Sequence, residues 1–386
     1  MDERPLAGIR VVALEHAVAA PIATRHMADL GAEVIKVERP EVGDFARAYD
    51  KAVLGQSSFF VWLNRGKRSL ALDLKSAAAV EVLGRLLAGT DILIQNLAPG
   101  ASERLGLGWD VLHARHPRLI VCDISGFGTS GPYAGRKSYD LLIQAEAGLM
   151  GVTGTPEQPS RAGISAADIA TGQYALSGCL AALVRRGRTG VGTHVEVAML
   201  DALAEWMGSA YYHALYGAGS PERRPSSHPA LAPYGTYAVA DGAILLGIQN
   251  DREWAVFCAK VLGDAGLATD ARFAGNADRV AHRGALDAAI GAVLGGLTAD
   301  EAERRLHGAG IAFGRVREAA EAAAHPQLAA RGRWQDVATP AGVVQGLAAP
   351  WVMDGATMPM GEVPALGADT AAIMSELGFV ARDKAA

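Results

Sequence analysis

The sequence predicts an α/β fold: a largely parallel sheet wrapped by helices, followed by a smaller α+β domain. Two observations carry this expectation. Short apolar, β-branched runs alternate with stretches of helical spacing through the first half of the chain, the order expected of βαβ units. A segment dense in Gly, Pro and Ser, residues 217–234, then separates that half from a stretch of different character.

Taken in order, Gly8–Glu15 reads as a buried strand. Pro21–Leu30 has helical spacing through Ile22, Met27 and Leu30 and ends at Gly31, where a helix C-terminus commonly places glycine. Val34–Glu38, Ser69–Leu74, Asp91–Gln95 and Leu119–Ser125 are further strands. Between them, Ala77–Ala88 sets Val80, Leu83 and Leu87 on one helical face, and Trp109–His116 makes a short helix. Helices over Tyr139–Met150 and Ala167–Arg186, a strand at Thr193–Val197 and a long helix Ala198–Tyr216 complete this part. Beyond the linker, Tyr237–Val239 and Ala243–Ile248 read as strands, and Asp251–Leu262 and Ala285–Leu297 as helices. The expected division is 1–216 for the first part of a large domain, 217–234 for the linker, 235–320 for the small domain and 321–386 for a return to the large one.

Composition narrows the function classes. An apolar share of 50% and a charged share of 20% exclude a disordered chain. Lys plus Arg at 36 against Asp plus Glu at 41 leaves a net charge of −5, without the broad basic face that sequence-independent nucleic-acid binding needs. A local basic pocket for a phosphorylated ligand is still allowed. Cys122, Cys179 and Cys258 are far apart and odd in number, so neither a disulfide framework nor a zinc pattern is expected. The start Met1–Pro5 is charged rather than a secretory signal, and the whole predicts a cytoplasmic protein. The uncharged run Ile169–Val184 falls short of the roughly 20 apolar residues of a membrane span and reads as a buried helix. No HxxxH or Cys/His cluster has metal spacing, so no metal is expected.

Gly126–Gly131 is a formal GxGxxG after a strand. Dinucleotide binding needs those glycines to open a helix, with an acid about 20 residues on at the end of a second strand. Here Pro132 and Gly135 follow, and Glu146 falls in a helical pattern, which disfavours a nicotinamide oxidoreductase. Gly163–Ala167 lacks the last glycine of a nucleophile elbow and follows a loop, which disfavours a serine hydrolase. Asp168 remains, in the first turn of a long apolar helix beside amides that favour an anion. An aspartate there also serves simply as a helix cap.

Further segments carry a resemblance. Leu14–Pro40, Asn64–Ser69, Leu72–Lys75, Gln95–Gly100, Gly126–Gly128 with Gly131–Tyr133, Tyr139–Asp140, Gly163–Gly172, Arg188–Gly192, His325–Leu328, Leu366–Gly367 and Leu377–Gly378 resemble the class III CoA-transferases (CaiB/BaiF type). That family includes formyl-CoA transferase, carnitine CoA-transferase and the α-methylacyl-CoA racemases, and the likeness runs essentially end to end. It implies a Rossmann-like large domain built from both chain ends, an inserted small domain and an interlocked homodimer. It implies Asp168 as a nucleophile working through a covalent aspartyl-CoA thioester, with Tyr139 and Asp140 positioning thioester and carboxylate. It places Arg104, Asn64, Lys67 and Arg68 near the adenine and 3′-phosphate, Gln95, Asn96 and Leu97 along the nucleotide pocket, and Arg39 and Arg47 near the pyrophosphate.

Departures separate the branches. The racemases carry a histidine where this chain has Tyr139, so two-base epimerisation, the alternative activity, lacks its second base. Formyl-CoA transferase carries a glutamine at the place of Val18 and a tetraglycine loop that is missing here. Asp140–Gly154, Asp201–Met207, His228–Gly235 and Gly247–Trp254 look instead like the branch that moves CoA from a dicarboxylyl-CoA, such as succinyl-CoA, to acceptors of the itaconate, malate, citramalate or mesaconate type. A distal carboxylate needs a cation or donor, and Arg223, Arg224, His228, Tyr234 and His16 are the candidates. No permanently bound cofactor is implied, CoA being a substrate, and the expected partners are acyl-CoA, small carboxylic acids and a second copy, with no nucleic acid and no membrane.

Overall fold

The computed structural model describes residues 4–217, 219–354, 356 and 358–379. The extreme amino-terminal residues, and position 218 of the expected linker, lie outside them. Six strands form the central sheet: β1 (Arg10–Leu14), β2 (Glu33–Glu38), β3 (Lys67–Ala71), β4 (Ile92–Gln95), β5 (Ile120–Ser125) and β6 (His194–Ala198). All pairings are parallel, in the order β3-β2-β1-β4-β5-β6. This is the doubly wound order, in which winding reverses between β1 and β4 and opens a crevice at the carboxyl ends of the strands.

The central strands β1 and β4 are nearly continuous apolar runs because both faces are covered. Val11 and Ala13 of β1 join Ile92, Ile94, Ile120 and Cys122 on one face, against Ala23 and Met27 of helix Ala19–Asp29 and Leu176 and Cys179 of helix Ala166–Thr189. Val12 and Leu14 join Ile35, Leu93 and Val121 on the other, against Val82, Leu83, Leu86 and Leu87 of helix Ala77–Ala88 and Ile373 near the carboxyl end. Contact density divides the chain into two compact units, Met1–Leu149 with Arg161–Ser209 and Ala329–Ala386, and Met150–Ser160 with Ala210–Leu328. The second unit has an antiparallel sheet, β7 (Tyr234–Val239), β8 (Gly242–Gly247) and β9 (Ala312–Arg315), over a core including Ile244, Leu246, Trp254, Phe257, Leu286, Ile290 and Leu306. In the first unit a hairpin, β10 (Trp334–Thr339) and β11 (Gly342–Leu347), follows. Among the described residues, no helix is long and apolar enough to cross a membrane.

Several elements differ from the sequence expectation. β3 spans Lys67–Ala71 rather than Ser69–Leu74, because Asp73 folds a tight turn: its carboxylate accepts the Lys75 N–H and its carbonyl the Ser76 N–H. Helix Ala77–Ala88 buries Ala79, Val82, Leu83, Leu86 and Leu87, leaving Val80 exposed. The expected helix Ala198–Tyr216 is two, Met199–Trp206 and Gly208–Tyr216, interrupted where the Met207 N–H is shared between the Leu203 and Ala204 carbonyls. Likewise Tyr139–Met150 resolves into Asp140–Glu146 and Leu149–Val152. The hairpin, β9 and a short helix Ser58–Asn64 were not foreseen.

One crossing sets the position of the long helix. Helix Ala166–Thr189 packs on helix Ala19–Asp29 at Gly172, where a Cβ would lie 2.6 Å from the Ala19 carbonyl oxygen and collide with Ile22. A glycine is therefore required for backbone approach this close. Gly172→Ala is expected to lower stability by about 1–3 kcal/mol, the usual range for overpacking. Urea unfolding measures it, and an unchanged midpoint would refute the close crossing.

Candidate active site

An ionic knot ties β1, β2 and β3 together. Glu15, at the end of β1 and fully buried, accepts Lys67 Nζ at 2.7 Å, Thr24 Oγ1 at 2.7 Å and Lys36 Nζ at 3.3 Å. Burial alone would raise the Glu15 pKa, but the Lys36 and Lys67 charges outweigh it and hold it below the usual value. Burial, with the Lys36 charge, pushes Lys67 down to about 7 even beside Glu15. Lys36 also meets Asp44 Oδ2 at 2.9 Å, and Asp44 Oδ1 accepts the Ala17 N–H at 3.2 Å. Ala17 has φ 60°, a left-handed conformation rare outside glycine, so the knot fixes a strained backbone at the crevice edge.

Ala17 borders a cavity of about 920 Å³. It is lined by His16–Ala19 after β1, Arg39 after β2, the turn from Gln95 after β4, Asp123–Gly126 at β5, the loop 136–141 and, at the start of the long helix, Ser165 and Asp168. His16, Arg39, Leu97 and Ala101 also border a second, largely apolar cavity of about 400 Å³ that reaches Leu72–Lys75 and Arg104. The GxGxxG glycines begin no phosphate-binding helix: no helix opens before Asp140, a Cβ on Gly126 would strike the Ser138 side chain, and Gly128 and Gly131 turn the loop with left-handed φ of 86° and 85°. Gly126 thus lets the basic loop carrying Arg136 and Lys137 fold onto β5.

Two carboxylates meet at the head of the long helix. Asp140 Oδ1 accepts the N–H groups of Ala167 at 2.8 Å and Asp168 at 3.2 Å, while its Oδ2 accepts Gln144 Nε2 at 2.7 Å. Buried Gln144 in turn accepts the Ala162 N–H and donates to the Ile164 carbonyl, which fixes the segment before the helix. So Asp140, not Asp168, is the cap, and the first-turn amides expected to face an anion at Asp168 are already occupied. Asp168 lines the cavity with no such compensation, and burial, then the Asp140 charge, push it up to about 7. A carboxyl poised to exchange its proton near neutrality suits nucleophilic or acid–base work.

The structure gathers some expected residues and separates others. Asp168, Tyr139, Asp140, Arg39, Gln95, Asn96, Leu97, His16 and Val18 line the larger cavity, and Arg104 the smaller one. Asn64, Lys67 and Arg68 line neither: Asn64 ends helix Ser58–Asn64 with its side chain on the Phe60 carbonyl, and Lys67 and Arg68 are held by the parallel pairing of β3 with β2. Lys67 ties Glu15 to buried Asn64 at 3.0 Å, and Arg68 bridges Glu33 and Glu376. Arg47 is bound to Glu38 and stacked over Phe60. Arg224, His228 and Tyr234 belong to the second unit, where Arg224 pairs with Glu222 and the His228 ring stacks on Tyr234 at 5.3 Å; Arg223 there donates to the Thr155 carbonyl. Sequence reasoning missed the lining residues Arg136, Lys137, Asp123, Phe45 and Tyr49. The basic pair between the glycine motif and Tyr139 was a usable signal; the others became lining only through sheet pairing and loop packing.

Comparison with known proteins follows this geometry. A family model described as CoA-transferase family III matches residues 6–370. A succinate–glutarate CoA-transferase of Agrobacterium fabrum is 34% identical over 98% of this chain and 97% of its own. A succinyl-CoA–D-citramalate CoA-transferase of Chloroflexus aurantiacus is 34% identical over 85% of this chain and 82% of its own. Among solved structures, a CaiB/BaiF family protein from Brucella suis superposes with a TM-score of 0.85 at 37% identity, covering 97% of this chain and 99% of that one.

Because the folded-state pKa of Asp168 is raised, the contribution of this carboxyl to stability is greatest where it is protonated and is lost as pH rises through about 7. Asp168→Asn removes that burden. Its Tm is expected to match wild type near pH 4 and exceed it above neutrality. A constant difference across pH would contradict the shifted carboxyl.

Proposed function

The chain belongs to CoA-transferase family III, and we propose that it moves CoA from a dicarboxylyl-CoA such as succinyl-CoA to a second carboxylic acid through a covalent Asp168 intermediate. The observation that carries this reading is Asp168 itself: a partly desolvated carboxyl on the wall of a large cavity, with its pKa near neutrality and Asp140 beside it. The ionised carboxylate attacks the donor thioester carbonyl, the C–S bond breaks, and a mixed aspartyl anhydride forms with release of CoA thiolate. The thiolate attacks the aspartyl carbonyl, giving an aspartyl-CoA thioester and freeing the donor acid. The acceptor carboxylate attacks that thioester and expels thiolate, which then takes the acceptor acyl group from the second anhydride and regenerates Asp168. Each exchange conserves one activated acyl bond, so no nucleotide triphosphate is needed, and covalent catalysis divides a poor exchange into easier steps.

CoA is a polyanion, and Arg39, Arg136 and Lys137 at the larger cavity and Arg104 at the smaller one are the cations that would meet it. The apolar stretch between Leu72 and Leu105 suits the adenine. Donor and acceptor choice is inferred from the relatives that act on succinate, glutarate and citramalate, so glutarate joins itaconate, malate, citramalate and mesaconate as acceptors to test. Tyr139 in place of a histidine leaves epimerisation unsupported. Exposed Leu141, Leu142, Ile164 and Trp206 support a second copy covering this surface, and three buried thiols support a reducing cytoplasmic setting.

Intact-mass measurement after brief incubation with succinyl-CoA is expected to find a CoA adduct, or its hydroxylamine- or borohydride-trapped derivative, mapping to Asp168. The adduct should disappear on adding the acceptor acid and be missing from Asp168→Ala. Wild type without any adduct would overturn the covalent route. Sedimentation should give a dimer that persists on dilution, and a stable active monomer would remove the interlocked assembly.

A further inference from the structure

A polar chain that the catalytic reading leaves unused runs from β6 to the cavity wall. His194 Nε2 meets Asp123 Oδ2 at 2.7 Å, Asp123 Oδ1 accepts Gln95 Nε2 at 2.9 Å, and Gln95 Oε1 accepts the Leu97 N–H at 2.7 Å. Between Gln95 and Leu97, Asn96 exchanges two 2.9 Å hydrogen bonds with the His16 backbone. The chain therefore sets both walls of the crevice where β4 faces β1. The His194 ring is clamped, lying parallel to Trp109 at 5.3 Å, and Trp109 is itself stacked on His113.

Asp123 lines the cavity, which is the wrong sign for a polyanion unless something cancels it. We propose that Asp123 and His194 are positioning residues for the CoA thioester: together they fix the Gln95–Leu97 wall, and the proton on His194 neutralises the Asp123 carboxylate beside the bound ligand. This rests on the CoA reading above. The hydrogen bond to Asp123 comes first among the influences that raise the His194 pKa above its ordinary value, and the Asp123, Glu196 and Asp110 charges add to it against partial burial. The other titratable neighbours are His113, through Trp109, and Arg185, which bonds Thr193 beside His194.

The sign follows by linkage. Below the His194 pKa the pair is neutral and CoA binds; as pH rises through it, an uncompensated carboxylate is left in the wall and affinity falls, while bound CoA raises the same pKa by the same factor. The test is calorimetric titration of the full chain with CoA between about pH 6 and 9. His194→Gln keeps an N–H for Asp123 but carries no charge. It should bind CoA about tenfold more weakly at the low end and lose the corresponding part of the pH dependence. The double change His194→Gln with Asp123→Asn should recover most of that affinity and remain flat. Asp168 and the CoA phosphates titrate alike in all three proteins, so differences between curves isolate His194. Should His194→Gln fail to fold by circular dichroism, Asp123→Asn alone reads the same carboxylate: it should move the fall in affinity to lower pH and bind CoA about tenfold more tightly than wild type at the high end. Variant curves that parallel wild type would overturn the proposal. A wild type that binds no CoA at any pH would overturn the CoA reading instead.

Discussion

The site stands on one buried carboxylate. Glu15 ends β1 inside the protein, and the lysines that neutralise it come from β2 and β3, so three adjacent strands share one charge centre. A buried ionic group is weak support for stability, because desolvation offsets most of the attraction, but removing one partner leaves an uncompensated charge at a cost of about 3–5 kcal/mol. Its consequence here is geometric. Through Lys36 and Asp44 the knot reaches the Ala17 amide and holds a left-handed residue on the cavity rim. Strain of that kind persists only when surrounding contacts over-determine it.

The same economy of contacts appears at the long helix. Asp140 satisfies two first-turn amides, which begins the helix, and in doing so sets a second carboxylate beside Asp168. One interaction thus provides a cap and a charge perturbation together. Gly172 brings this helix against helix Ala19–Asp29, so the head of the helix meets the strained rim on one wall of a common cavity. Along the same cavity, the Asp123–His194 pair reaches the Gln95–Leu97 turn. The cavity thus carries two polar pairs, Asp168 with Asp140 and Asp123 with His194.

Much of this was legible residue by residue. The strand cores Val11–Leu14 and Ile92–Ile94 announce themselves as unbroken apolar runs, and Asp168 stands out as an acid opening an apolar helix. The roles of the basic residues after helix Ser58–Asn64 were not legible. Lys67 and Arg68 in sequence look like ligand-binding cations, but strand register turns one inward to Glu15 and the other toward Glu33 and Glu376. A lysine's spacing does not say whether its partner is a substrate phosphate or an acid from another strand.

Local pattern by itself determined the alternation of strands and helices, the exclusion of a dinucleotide fingerprint by Pro132 and Gly135, and the family motifs around Asp168, because periodicity and turn chemistry act over a few residues. Tertiary structure alone decided which acid caps the helix, which cations line the cavities, and that Asp123, Gln95 and His194 form one chain. Those outcomes depend on contacts between positions as distant as Asp123 and His194 on neighbouring parallel strands, and parallel neighbours are joined only through long crossovers, so their register is written nowhere in the local sequence.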